Sequence, residues 1–163
     1  MKSPLNAICL TFVLSLGTIS AAWSADFLKG AVAYESGDYA TALREWTPLA
    51  KQGDADAQHN LGLMYANGRG VPQDYKTAVK WLRLAAEQGD ASAQGTLGLL
   101  YGMGQGVPED YVYAHMWFIV AASSGDKDAL KNSDLTKLIL TPSQLEKAQD
   151  LARECVRKKY KDC

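Results

Sequence analysis

Between residues 54 and 125 the apolar positions recur at three- and four-residue steps, the period of helices that each bury one face. In the stretch that opens at Asp54, residues Ala57, Leu61 and Tyr65 share one side with Gln58 and Gly62. Gly68 and Gly70 end that helix, because glycine accepts positive φ without a steric penalty, and Pro72 keeps it from resuming. Asp74 then stands where a cap is needed for a second helix, whose Ala78, Trp81, Leu82 and Ala85 make its buried stripe. A lone pair of this kind leaves its apolar face in water, so the pattern predicts pairs that stack.

The chain supplies the stack. Asp54–Gly89 and Asp90–Gly125 align without a gap and agree at more than half of their positions. A diverged unit precedes them: Asp38-Tyr39, Thr41-Ala42, Ala50 and Gln52-Gly53 reappear as Asp74-Tyr75, Thr77-Ala78, Ala86 and Gln88-Gly89. Its connection, Glu35-Ser36-Gly37, replaces the long glycine-rich loop with a tight turn. Gly62 returns as Gly98, and a helix-interior glycine costs about 1 kcal/mol against alanine. The repetition predicts that a neighbouring backbone passes too close there for a side chain.

The repeated residues closely resemble the Sel-one-like repeat family. The resemblance rests on Ala57-Gln58, Leu61-Gly62, Tyr65, Gly68, Gly70-Val71-Pro72, Asp74-Tyr75, Ala78, Trp81 and Ala85-Ala86. The second block carries the same set as Ala93-Gln94, Leu97-Gly98, Tyr101, Gly104, Gly106-Val107-Pro108, Asp110-Tyr111, Ala114, Trp117 and Ala121-Ala122. It implies an all-α fold, an α-solenoid of antiparallel helix hairpins in a right-handed superhelix, and use as a holder of other proteins or of cell-wall material. The expected units are 26–53, 54–89, 90–125 and a C-terminal cap, 126–163. In the cap, Thr141-Pro142-Ser143-Gln144 reads as a capping box ahead of a helix carrying Leu145, Ala148, Leu151, Ala152 and Cys155.

Comparing the two blocks separates packing from freedom. In the first helix the positions that change are Asp56/Ser92, His59/Gly95, Asn60/Thr96, Met64/Leu100 and Asn67/Met103. If the first helices line the concave side, as in related solenoids, this stripe is the expected binding surface, with plain solvent exposure as the alternative. In the second helix Lys76, Lys80 and Arg83 become Val112, Met116 and Ile119. A polar stripe has turned apolar, and an uncovered apolar stripe is unfavourable in water. The expected cover is the C-terminal helix, through Leu145, Ala148, Leu151 and Ala152. A homodimer or a partner on the same stripe is the alternative.

The first residues follow a different pattern. Lys2 is the only charge before Asp26, Leu5 to Ile19 is mostly apolar, and Ala21-Ala22-Trp23-Ser24-Ala25 is rich in small residues. This is the form of a secretory leader, expected over residues 1–24, with an uncleaved anchor as the alternative. The expected location is therefore periplasmic or secreted, with no stable membrane span once the leader is removed. Removal leaves Cys155 and Cys163, which an oxidising compartment would pair; two free thiols are the other reading.

Chemistry changes little. No His, Cys or acid cluster has zinc spacing, so no metal and no cofactor is expected. Gly68-Arg69-Gly70 lacks the Lys-Ser/Thr end of a phosphate loop, and no nucleophile elbow is present. The 17 Lys and Arg against 18 Asp and Glu offer nucleic acid no concentrated basic surface. Some cysteine-rich members of the family have been described as β-lactamase-like or penicillin-binding, and Ser124-Gly125-Asp126-Lys127 matches Ser-x-x-Lys. The matching partner motifs are absent, because Lys76-Thr77-Ala78 is not Lys-Thr-Gly. The expected function is a non-enzymatic scaffold for a protein or an envelope polymer. The alternatives are that hydrolase, and an envelope-surface binder acting through Arg153, Arg157, Lys158, Lys159 and Lys161.

Overall fold

The computed structural model describes residues 16–163, with side chains from Asp26 onward. The leader expected over 1–24 lies outside the residues whose side chains are described. Among the described residues the chain forms eight helices and no strand. They are α1 (Leu16–Glu35), α2 (Tyr39–Lys51), α3 (Ala55–Asn67), α4 (Tyr75–Ala86), α5 (Ala91–Met103), α6 (Tyr111–Ser123), α7 (Lys127–Thr136) and α8 (Pro142–Arg157). None is long and apolar enough to cross a membrane.

An aspartate opens each helix from α2 to α7. The carboxylates of Asp38, Asp54, Asp74, Asp90, Asp110 and Asp126 accept from backbone N–H groups in the first turn. Each such cap contributes about 1 kcal/mol. Thr141 and Gln144 close a reciprocal capping box on α8. The chain thus marks its helix starts locally, at the same register in every unit.

Helices α1–α2, α3–α4 and α5–α6 form hairpins, and α2–α3, α4–α5 and α6–α7 join them in a serial stack. Gly62 and Gly98 sit where the hairpins close. A Cβ on Gly62 would lie 2.6 Å from Leu82 Cγ, and one on Gly98 would lie 2.5 Å from Phe118 Cε1. The close neighbour is therefore a side chain of the paired helix, rather than the backbone expected from the repetition. Gly70 and Gly106 bring the long loops onto Tyr39 and Tyr75 at the start of the preceding second helix, and both adopt positive φ. Between units, the buried Gln58 amide donates to the Ala50 carbonyl at 2.9 Å, and Gln94 donates to Ala86 at 3.1 Å. Gln58 Oε1 accepts in turn from Gln88. Ser124, at the position of Gln88, is too short to repeat this, and Gln94 Oε1 has no protein partner.

The end of the stack departs from four equal hairpins. Both α7 and α8 pack on α6, and α8 is not paired with α7 as α4 is with α3. Helix α8 runs alongside α6 in the same direction. Leu140, Leu145 and Ala148 meet Val112 near its start, and Ala152 and Val156 lie by Ile119 and Val120 further on. Val112 and Met116 are buried, Ile119 is partly covered, and Leu151 and Ala152 join the same core. Beyond α8 the chain turns through positive φ at Lys159, Tyr160 and Asp162. Cys163 closes a disulfide to Cys155 there, while the Tyr160 ring rests on Gly89.

Candidate interaction face

Helices α3, α5 and α7 approach one another near their starts. His59 of α3 feels the charge of Asp90 at the start of α5, and a Cβ on Gly95 of α5 would meet Asp126 and Ala129 of α7. Helices α3, α5 and α7 each turn one side away from their paired and preceding second helices.

On that outward side of α3 stand Asp56, His59, Asn60 and Asn67, all at least partly exposed; on α5, Ser92, Thr96 and Met103 are likewise at least partly exposed. Two residues of the expected stripe are elsewhere. Met64 is 0 % exposed and Leu100 is 3 % exposed, each inside a hydrophobic cluster. The difference between Met and Leu at this position is a volume-conserving swap within the core, which a packed interior tolerates. Variation there did not signal a surface.

The residue one place earlier has the reverse character. Leu63 and Leu99 do not vary between the blocks, yet Leu63 is half-buried and Leu99 is 42 % exposed. Counting back two positions from Tyr34 and from Lys137, the equivalents are Val32 on α1, 71 % exposed, and Leu135 on α7, 62 % exposed. One aliphatic side chain per first helix thus faces outward at a shared register. Met103 and Ile139 add a second exposed apolar rung one turn on. The signal in the sequence was the helical spacing of positions 56, 59/60, 63 and 67, which places Leu63 on the outward side and Met64 off it.

Toward the start of α3 the face is acidic. Asp54 and Asp90 cap α3 and α5, and Asp56 in the first turn of α3 feels the charge of both. Burial, followed by the charges of Asp54 and Asp90, raises the Asp56 carboxyl above the ordinary aspartate range. Burial lowers the His59 imidazole below its ordinary value, and Asp90 and Asp56 oppose that shift. Among the described residues no group of three or more His, Cys, Asp or Glu is gathered as a metal site.

The remaining chemical candidates are dispersed. Ser124 caps the end of α6 and Lys127 opens α7, both exposed at a turn between units. Most of the basic C-terminal cluster is paired. Arg153 meets Asp150, Arg157 and Lys158 meet Glu154 at 2.7 and 3.4 Å, and Lys161 reaches Glu87 at 3.8 Å.

The Sel1 repeat family pattern matches residues 55–90 and 91–126. No curated protein matches the chain. Among solved structures, the chain is similar to a protective antigen of uropathogenic Escherichia coli strains displaying an SLR fold. The two share 33 % identity and a TM-score of 0.81, over 88 % of this chain and 32 % of the antigen. It is also similar to a Sel1 repeat protein from Oxalobacter formigenes, with 35 % identity and a TM-score of 0.65, over 75 % of this chain and 52 % of that one. The chain therefore spans about a third to a half of the length of these two neighbours. With two consecutive matched repeats and the same solenoid in both neighbours, the chain belongs to the Sel1-like repeat family.

Proposed function

We propose that the chain is a non-enzymatic scaffold that holds a protein partner along the outward side of its first helices. Sel1 repeat proteins are generally protein-interaction scaffolds. The observation that carries the reading here is the aliphatic row at one register over four helices, with Val32, Leu99 and Leu135 exposed and Leu63 half-buried. Scattered surface leucines are ordinary, but apolar side chains aligned across a solenoid offer a contiguous contact.

The site of action belongs to the same proposal. The leader-like pattern of residues 1–24 and the Cys155–Cys163 disulfide both support an exported, envelope-located protein, since disulfides persist in oxidising compartments. N-terminal sequencing of protein recovered from the periplasm, expected to begin near Ala25, tests this part. Recovery of uncleaved chain from the cytoplasm would refute it.

The binding part is tested by capture from envelope extract with residues 25–163, against the Leu63→Glu/Leu99→Glu variant. A protein retained by the wild type and lost by a variant with unchanged circular dichroism supports the face. Equal capture by both removes it. Met64 is unsuitable as a surface probe, because a charge at its position would break the core.

A further inference from the structure

The residues that follow α8 are held in a conformation that they do not favour by themselves. Lys159, Tyr160 and Asp162 adopt positive φ of 53°, 66° and 53°, and none of them is glycine. A Cβ crowds the backbone in that region, so each of the three costs free energy to hold there. Three contacts and one covalent bond oppose that cost. The Tyr160 ring rests on Gly89 in the α4–α5 turn, the Tyr160 N–H donates to the Cys155 carbonyl at 2.9 Å, and Lys161 reaches Glu87 at 3.8 Å. The Lys161 contact is long and lies at the surface, where an ion pair contributes little. The covalent bond is Cys155–Cys163. The tail is therefore a strap from α8 to the turn between α4 and α5, kept shut chiefly by its disulfide.

The two ends of that bond differ in access. Cys155 is 2 % exposed within the core, whereas Cys163 is partly exposed among exposed neighbours. Exchange requires a thiolate to reach one of the two sulfurs, and access selects Cys163. We propose that Cys155–Cys163 is a redox-sensitive latch: a thiol reductant opens it at Cys163, and residues 158–163 then leave the α4–α5 turn while the helices stay folded. In the first step the incoming thiolate bonds to Cys163 Sγ, the Cys155–Cys163 bond breaks, and Cys155 departs and takes up a proton. A second thiol then attacks the reductant's sulfur in the mixed disulfide and frees Cys163 as a thiol. Two electrons and two protons pass to the cysteine pair, and two reductant thiols become one disulfide. An oxidising compartment keeps the latch shut. It opens in the same way whether or not the first helices hold a partner.

Mixtures of reduced and oxidised glutathione, added over a range of ratios to the folded chain, test this. Free thiols are trapped by alkylation and counted by mass spectrometry, and amide exchange and circular dichroism are followed on the same samples. Cys155 and Cys163 are expected to become alkylated together, with a midpoint inside the range that glutathione covers. At full reduction the Lys159 and Tyr160 amides should exchange at least about tenfold faster, with the helical circular dichroism unchanged. Lys159→Gly/Asp162→Gly relieves two of the positive-φ positions and should raise the reductant needed at the midpoint by about threefold.

A pair that stays oxidised at every ratio overturns the inference. So does reduction that leaves the Lys159 and Tyr160 amides protected, because the strap would then hold without its bond. Reduction accompanied by loss of helical circular dichroism also overturns it, since the bond would then be holding the whole fold. An unmoved midpoint in the glycine variant overturns the strained conformation as the reason that the latch opens.

Discussion

Helices α4 and α6 occupy the same place in successive units, begin with the same Asp-Tyr, and present opposite faces to their surroundings. On α4 the outer stripe is Lys76, Lys80 and Arg83, with both lysines exposed and Arg83 donating to the Tyr101 hydroxyl at 2.8 Å. On α6 it is Val112, Met116 and Ile119, covered by α8. The inner side changes less: Ala78, Leu82 and Ala85 on α4 and Ala114, Phe118 and Ala121 on α6 are all buried. The hairpin is therefore indifferent to its outer stripe, and the outer stripe decides whether the stack can end. Where it is polar the solenoid continues past it; where it is apolar the chain folds back, and α8 takes a place on α6 rather than beside α7.

The largest expected effect comes from exchanging the stripes. Met116→Lys buries an unpaired charge under α8 and should cost about 3 kcal/mol or more in urea denaturation, with amide exchange accelerating in α8 first. Lys80→Met on the exposed side of α4 should shift stability by less than about 0.5 kcal/mol. Equal costs for the two changes would mean that α8 does not depend on the apolar stripe.

Next is the clasp that holds α8 in place. Cys155→Ser/Cys163→Ser should lower stability by about 2–3 kcal/mol, the chain-entropy expectation for a loop this short. The same loss should follow from a reductant on the wild type. An unaltered melting curve would show that Tyr160 on Gly89 and Lys161 on Glu87 hold the tail without it.

The inner faces can be compared through their glycines. Gly98→Ala pushes against the rigid Phe118 ring and Gly62→Ala against the more adjustable Leu82. Overpacking of this kind costs about 1–3 kcal/mol, partly offset by alanine's better helix propensity. Gly98→Ala should therefore be the more destabilising by thermal melting, and a reversed order would contradict the packing described.

The smallest effect separates His115 of α6 from Val79, its counterpart on α4. His115 is buried with Nδ1 2.7 Å from Thr136 Oγ1 and Nε2 without a partner. Burial, then the nearby Lys137 charge, lowers its pKa, while Asp134 acts the other way. The folded state thus binds the proton less readily than the unfolded chain does. Its share of stability is full above the unfolded value of 6.5 and is lost as pH falls from there toward the lowered folded value. Melting temperatures taken between pH 7.5 and 5 should fall in the wild type and fall less in His115→Val. Parallel slopes would assign the pH dependence to other groups.

Much of this organisation was legible in the chain. The aspartate caps, the glycine loops and the apolar period are local signals, and each unit repeats them, so helix starts, ends and pairing follow from short-range chemistry. The apolar stripe on α6 announced a cover because exposed aliphatic surface is unfavourable wherever it sits, and the leucines and alanines of α8 were the available complement. The binding stripe was less legible. Variation between blocks marked Met64 and Leu100 as surface, although both are core, and passed over Leu63 and Leu99 because they agree.

Residue pattern alone was enough for the all-α repeat, the caps and the matching of α8 to α6, because each rests on residues that interact within a turn or across one apolar match. Which of two adjacent positions, 63 or 64, faces outward was settled by the assembled stack. So was the absence of an α7–α8 hairpin in the cap. The same holds for the disulfide, whose two thiols meet only because the tail turns back through positive φ. The physical reason is common to all three. A rotation of one residue on a helix, or a choice between two helices of similar apolarity, changes no local preference, and only the sum of contacts in the folded molecule selects between them.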